Sequence, residues 1–112
     1  MEKEISCKQV KVSDRFYESF EQVYDFGFET FGSFQAERYR QKIRISLDTL
    51  HDRYLAYPEC RYIPTPSRMY RNIILDAHLI IYRITGERIE VLDIIHAASN
   101  IGKIRNVRKI RL

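Results

Sequence analysis

Residues 70–96, YRNIILDAHLIIYRITGERIEVLDIIH, decide the fold. The stretch divides into three runs rich in β-branched and aromatic residues, at 70–75, 78–84 and 88–95, separated by the turn-forming pairs and triplets Asp76-Ala77 and Thr85-Gly86-Glu87. Two antiparallel hairpins are expected, with Gly86 supplying the positive φ that a tight hairpin loop favours. In the middle run His78, Ile80, Tyr82 and Ile84 alternate with Leu79, Ile81 and Arg83, so both faces carry apolar side chains. A strand apolar on both faces is flanked by partners and covered, which makes this run the predicted central strand.

Upstream, residues 5–12 alternate weakly, with Ile5, Cys7, Gln9 and Lys11 on one side and Val10 and Val12 on the other, and predict a short edge strand. Ser13-Asp14 then offers an N-cap and an acidic first turn. Phe16, Phe20, Val23, Tyr24, Gly27 and Phe31 follow at helical spacing, so one amphipathic helix is predicted up to Gly32. Gly27 weakens a helix interior by about 1 kcal/mol relative to Ala, and its place on the apolar stripe predicts a close approach by another element. Ser33 is the expected N-cap of a second helix, whose stripe of Ala36, Tyr39, Ile43, Leu47, Leu50, Tyr54 and Tyr57 runs to Pro58. Residues 59–69, with Pro64 and Pro66, read as a crossing loop.

The order β-α-α-β-β-β predicts an α+β domain in which a helical hairpin packs on one face of a small antiparallel sheet. Ile43, Leu47 and Leu50 are the residues expected to face the sheet. The other face, with the loop and the tail, is then the expected functional surface. At 112 residues the chain has room for a single domain, 1–112, whose segment 100–112 is a basic tail carrying Lys103, Arg105, Arg108, Lys109 and Arg111 with no acidic residue. The net charge of +4 and pI of 9.2 suit an acidic protein or a nucleic acid.

No apolar run reaches the roughly 18 residues that a membrane span requires, and the amino end has no leader-like apolar segment, so a cytoplasmic protein without membrane association is expected. Cys7 and Cys60 lack metal-ligand spacing and are expected as buried thiols. There is no glycine-rich nucleotide loop, CxxC pair or HExxH, and His51, His78 and His96 are scattered, so neither cofactor nor metal is expected.

Tyr70-Arg71, the run 78–84 and the ending Ile89-Glu90-Val91-Leu92-Asp93-Ile94-Ile95-His96-Ala97 resemble the strand core of the RelE/ParE toxins of bacterial type II toxin–antitoxin modules. The likeness extends to Phe31-Gly32, Ala36 and Leu55-Ala56-Tyr57-Pro58, and so covers most of the chain. It implies the same fold and a cognate antitoxin, whose disordered carboxy-terminal part folds onto the toxin. Tyr17 and Phe28, at the margin of the first helix's stripe, are the expected antitoxin contacts.

Two modes of action follow from the resemblance. In the RelE branch, metal-independent RNA cleavage needs proton-transfer groups and a cation at the phosphate, roles open to Arg71, Arg83 and His96 on mRNA free or at the ribosome. In the ParE branch, whose members poison DNA gyrase and stabilise plasmids without being enzymes, those residues and the basic tail would contact the target. His96 followed by Ala97, Ala98 and Ser99 is closer to the ParE branch, which is the preferred reading. A third reading is a non-toxic homologue that binds only the antitoxin.

Overall fold

The computed structural model describes residues 7–112, so Ile5 and Ser6 of the first predicted strand lie outside the described residues. The remainder of that strand is β1 (Gln9–Val12), and Ser13 turns it into α1 (Asp14–Phe31). Ser13 makes the turn by accepting a hydrogen bond from the Phe16 amide at 3.0 Å while its own hydroxyl donates to the Leu92 carbonyl at 2.6 Å. The predicted cap therefore also fastens the helix start to the sheet.

At the other end of α1, Gly32 sits at φ 91°, a left-handed conformation that its missing Cβ permits. Gly32, not Ser33, is the N-cap of α2 (Ser33–Asp48), and no side chain caps that helix. The stripe read as one helix to Tyr57 is broken at Thr49, whose hydroxyl bonds back to the Ile45 carbonyl at 3.0 Å. Only a single turn, α3 (Leu50–Arg53), follows.

β2 (Tyr70–Ile74), β3 (His78–Ile84) and β4 (Arg88–His96) form the two predicted hairpins, and the sheet order is β1-β4-β3-β2. The α+β class is as expected. The sheet is mixed, because β1 reaches β4 after the helical connection and lies parallel to it, pairing Gln9 with Arg88 through Val12 with Val91. At the β3–β4 turn the work expected of Gly86 falls to Thr85, whose hydroxyl accepts from the amides of Glu87 and Arg88 and donates to the Arg88 carbonyl. Gly86 does not have a positive φ.

β3 is apolar on both faces because both faces are buried. Ile80 and Tyr82 pack with Ile89, Val91 and Ile94 under Phe16, Ile43 and Leu50 of the helices. Ile43 and Leu50 are fully buried as predicted, whereas Leu47 is only partly buried. On the opposite face Leu79, Ile81, Leu92 and Ile95 pack with Cys60, Ile63, Ile104 and Val107. The face expected to be open is therefore closed by the loop and by the tail, which folds into α4 (Ile101–Asn106) and a 3-10 turn (Val107–Lys109). Apolar Ile101, Ile104, Val107 and Ile110 recur along the tail at three-residue steps, the period that lets one side of it meet the sheet. Cys60 is buried as expected and Cys7 is exposed.

Candidate functional site

The β3–β4 register has one irregularity. From Ile84–Ile89 to Tyr82–Val91 the paired numbers sum to 173 (82 + 91), but from Ile81–Asp93 to His78–His96 they sum to 174 (78 + 96), leaving Leu92 without an opposite number. This bulge brings His96 opposite His78; an unbroken register would place Ile95 there. The two imidazoles meet edge to face with centroids 5.3 Å apart, and Tyr39 of α2 closes the group with a 2.8 Å hydrogen bond between its hydroxyl and His78 Nδ1. Burial, helped by the neighbouring His96, pushes the His78 pKa below its ordinary value. His96 is exposed, and its Nδ1 accepts from the Ala98 amide at 3.0 Å.

Both rings lie where two cavities meet. One, of about 740 Å³, runs under the helical hairpin and is lined mainly by apolar groups, among them Phe20, Tyr24, Gly27, Phe31, Ala36, Tyr39 and Ala77. The other, of about 510 Å³, is mixed, with Arg15, Glu18, Ser19, Gln22, Asp93 and Lys103 lining it beside Ile94 and Ile95. Val23, Phe26, His78 and His96 border both. The result is a cleft between α1 and the end of β4, which β1 leaves uncovered because its pairing stops at Val91. Asp93, next to the bulge, bonds the Ile94 amide at 2.8 Å and lies 3.9 Å from Arg15. Burial raises its pKa despite Ser19, the Ile94 amide and Arg15, so the cleft contains a carboxyl group that is reluctant to ionise.

The residues chosen from sequence do not gather there. Arg71 donates to the carbonyls of Tyr57 at 2.9 Å, Leu55 at 3.3 Å and Arg68 at 3.3 Å, and so ties β2 to the end of the helical region. Arg83 is buried on the tail side, pairs with Glu90 at 2.7 Å and donates to the carbonyls of Arg108 at 3.2 Å and Ile110 at 3.1 Å. His96 shares the helix side with His78, and the five-residue separation of His78 and Arg83 (83 − 78) spans about 17 Å of strand. Arg71, Arg83 and His96 therefore do not converge on one phosphate-sized site. Lys103 borders the smaller of these two cavities. Arg105 donates to the Tyr62 carbonyl at 3.2 Å, and Arg108, Lys109 and Arg111 are exposed on the tail. Tyr17 and Phe28 are exposed on α1, and neither lines either of these two cavities.

The family model described as "ParE toxin of type II toxin-antitoxin system, parDE" matches residues 10–101. The chain belongs to the ParE toxin family. Its fold is also that of a solved chain from the chromosomal ParDE TA system of P. aeruginosa, with a TM-score of 0.65 and 17% identity over 81% of this chain and 97% of that one. Comparison with curated proteins finds no match. Membership in this family implies an antitoxin partner. Among the described residues of this ParE-family chain no helix is long and apolar enough to cross a membrane, and no group of three or more His, Cys, Asp or Glu is placed to hold a metal ion.

The sequence contained signals for part of the cleft. Gly27 stood out on an apolar stripe, but an ideal Cβ there meets nothing within 4 Å, so the close neighbour predicted for it is absent within the described chain. His78 was passed over because its meeting with His96 depends on the bulge and its bond to Tyr39 on how α2 packs, and no local pattern announces either.

Proposed function

We propose that this ParE-family chain is a cytoplasmic toxin that arrests growth by poisoning DNA gyrase through non-covalent contact, and that its antitoxin silences it by occupying the cleft between α1 and the end of β4. The observation carrying the choice against RNA cleavage is the dispersal of Arg71, Arg83 and His96. Both guanidiniums are engaged by backbone carbonyls, and the imidazole lies on the other side of the sheet from Arg83. General acid–base cleavage requires such groups within hydrogen-bond reach of one substrate. Lys103, Arg105, Arg108, Lys109 and Arg111 give the tail side a positive surface, and α1 carries Asp14, Glu18, Glu21, Asp25 and Glu29 against Arg15 alone. That polarity suits a target presenting acidic protein or DNA to the tail side.

For the antitoxin, the apolar lining of the larger cavity and the exposed Phe26 and Phe31 at its margin suit an amphipathic segment that folds as it binds. The test is inducible expression, followed by supercoiling and trapped-break assays with purified gyrase and an assay of RNA integrity. Gyrase inhibition with intact RNA is the expected result. RNA cleavage that disappears in a folded Arg71→Ala variant would overturn the proposal.

A further inference from the structure

We infer that the hole above Gly27 is the socket for one bulky apolar side chain of the antitoxin segment, and that the absence of a side chain at this position is what admits it. The inference rests on the cleft being the antitoxin site. Gly27 lies inside an 18-residue helix, where Ala would propagate the helix better. Two reasons commonly retain such a glycine, and neither applies within this chain. Its φ is not in the left-handed region, since Gly32 is the only described glycine with positive φ. Nor does a neighbouring element press on it, because an ideal Cβ would have nothing within 4 Å. The residue is nevertheless half-buried and forms part of the wall of the cavity of about 740 Å³. The space belongs to something that the isolated chain does not provide.

The surroundings define the chemistry of the occupant. Tyr24 and Phe31, one helical turn before and after Gly27, are ridges on either side of it, and Ala36 of α2 adds a second small lining residue. An aliphatic or aromatic side chain seated there loses its water to a mainly apolar lining, the setting in which an interface anchor contributes most. The charged lining is balanced, with Arg40 and Asp76 on the same cavity and Arg15, Lys103, Glu18 and Asp93 on the adjoining one, so the apolar anchor and not net charge selects the occupant.

The test uses the full chain and the separately purified product of the adjoining reading frame. Gly27→Ala should raise the unfolding midpoint of the free protein by about 2–5 °C and yet weaken the partner. Gly27→Leu, which fills the socket from within, should stay folded and lower affinity by about tenfold or more. A control variant, Phe26→Asp, changes a wall residue that is 65% exposed and whose loss leaves the core intact. If Phe26→Asp abolishes binding while Gly27→Leu binds as the parent does, the cleft reading stands and the socket is refuted. If both bind normally, the cleft itself is wrong. A Gly27→Ala variant less stable than the parent would show that the chain uses the glycine internally, and would also overturn the inference.

Discussion

Arg83 illustrates how a residue that looks like a catalyst can be a fastener. Its guanidinium is buried against Glu90, which burial alone would keep protonated; hydrogen bonds from Arg83 and Arg88 outweigh that and hold the Glu90 pKa below the usual carboxylate range. The same guanidinium satisfies two tail carbonyls, so replacing it leaves Glu90 to Arg88 and frees the end of the chain. Arg83→Met should therefore destabilise by about 1–3 kcal/mol, and amide exchange should accelerate in residues 104–110 before it does in the helices. Exchange unchanged in the tail would show that it is held by its apolar contacts alone. Asp93 acts in the opposite sense. Its raised pKa means that the folded state holds the proton more tightly than the unfolded one, so its contribution to stability is present at low pH and lost as pH rises. Asp93→Asn keeps an acceptor for the Ile94 amide, and should melt higher than the parent at pH 7 and no higher at pH 3, as followed by circular dichroism.

At the scale of elements, periodicity settled what each segment buries but not where each segment stops. Leu50 is fully buried under the single turn of α3, and Leu50→Ala should cost about 2–5 kcal/mol in a urea titration. Leu47, on the same stripe but only partly buried, should cost less than about 2 kcal/mol. Equal losses would mean that the break at Thr49 does not turn the stripe as described. Both hairpins and both faces of β3 were legible because alternation is local. The parallel pairing of β1 and the bulge at Leu92 were not, since each depends on partners distant in sequence, and with the bulge goes the meeting of His78 with His96. That meeting has a pH consequence. The folded state depresses the His78 pKa below its ordinary 6.5, so the unfolded chain binds the proton first and stability falls as pH drops from that value toward the folded one. The ring touches Tyr39 from α2 and His96 from β4, and the cavities that it borders are also lined by Arg15, Glu18, Arg40, Asp93, Lys103 and Asp76, the last 3.5 Å from Lys42. His78→Phe should flatten the decline in melting temperature between pH 7 and about pH 5. An equally steep decline in the variant would assign it to other groups.

For the whole molecule, the decisive point is that the tail is part of the fold. Read as a basic appendage, residues 100–112 would be tested by deletion, with lost activity taken as lost target contact. The structure makes that experiment uninformative, because removing Ile104 and Val107 would expose Leu79, Ile81, Leu92 and Ile95 and take the carbonyl partners from Arg83. A protein of this size has few kcal/mol to lose, and loss of folding would resemble loss of function. The charges can be separated from the packing because they sit on exposed side chains while Ile104, Val107 and Ile110 pack against the sheet. Replacing Arg108, Lys109 and Arg111 together by Glu takes the net charge from +4 to −2 (4 − 6), touches no residue lining the cleft, and leaves the Arg108 and Ile110 carbonyls in place. This variant should keep its antitoxin affinity and melt within a few degrees of the parent, as surface substitutions away from buried contacts do. Its inhibition of gyrase should fall by about tenfold or more, and the parent's own inhibition should weaken with added salt, since rim charges act through screened long-range attraction. Inhibition equal to the parent's at low and high salt would move the target-binding surface away from the tail, leaving α1 and the cleft to be searched next.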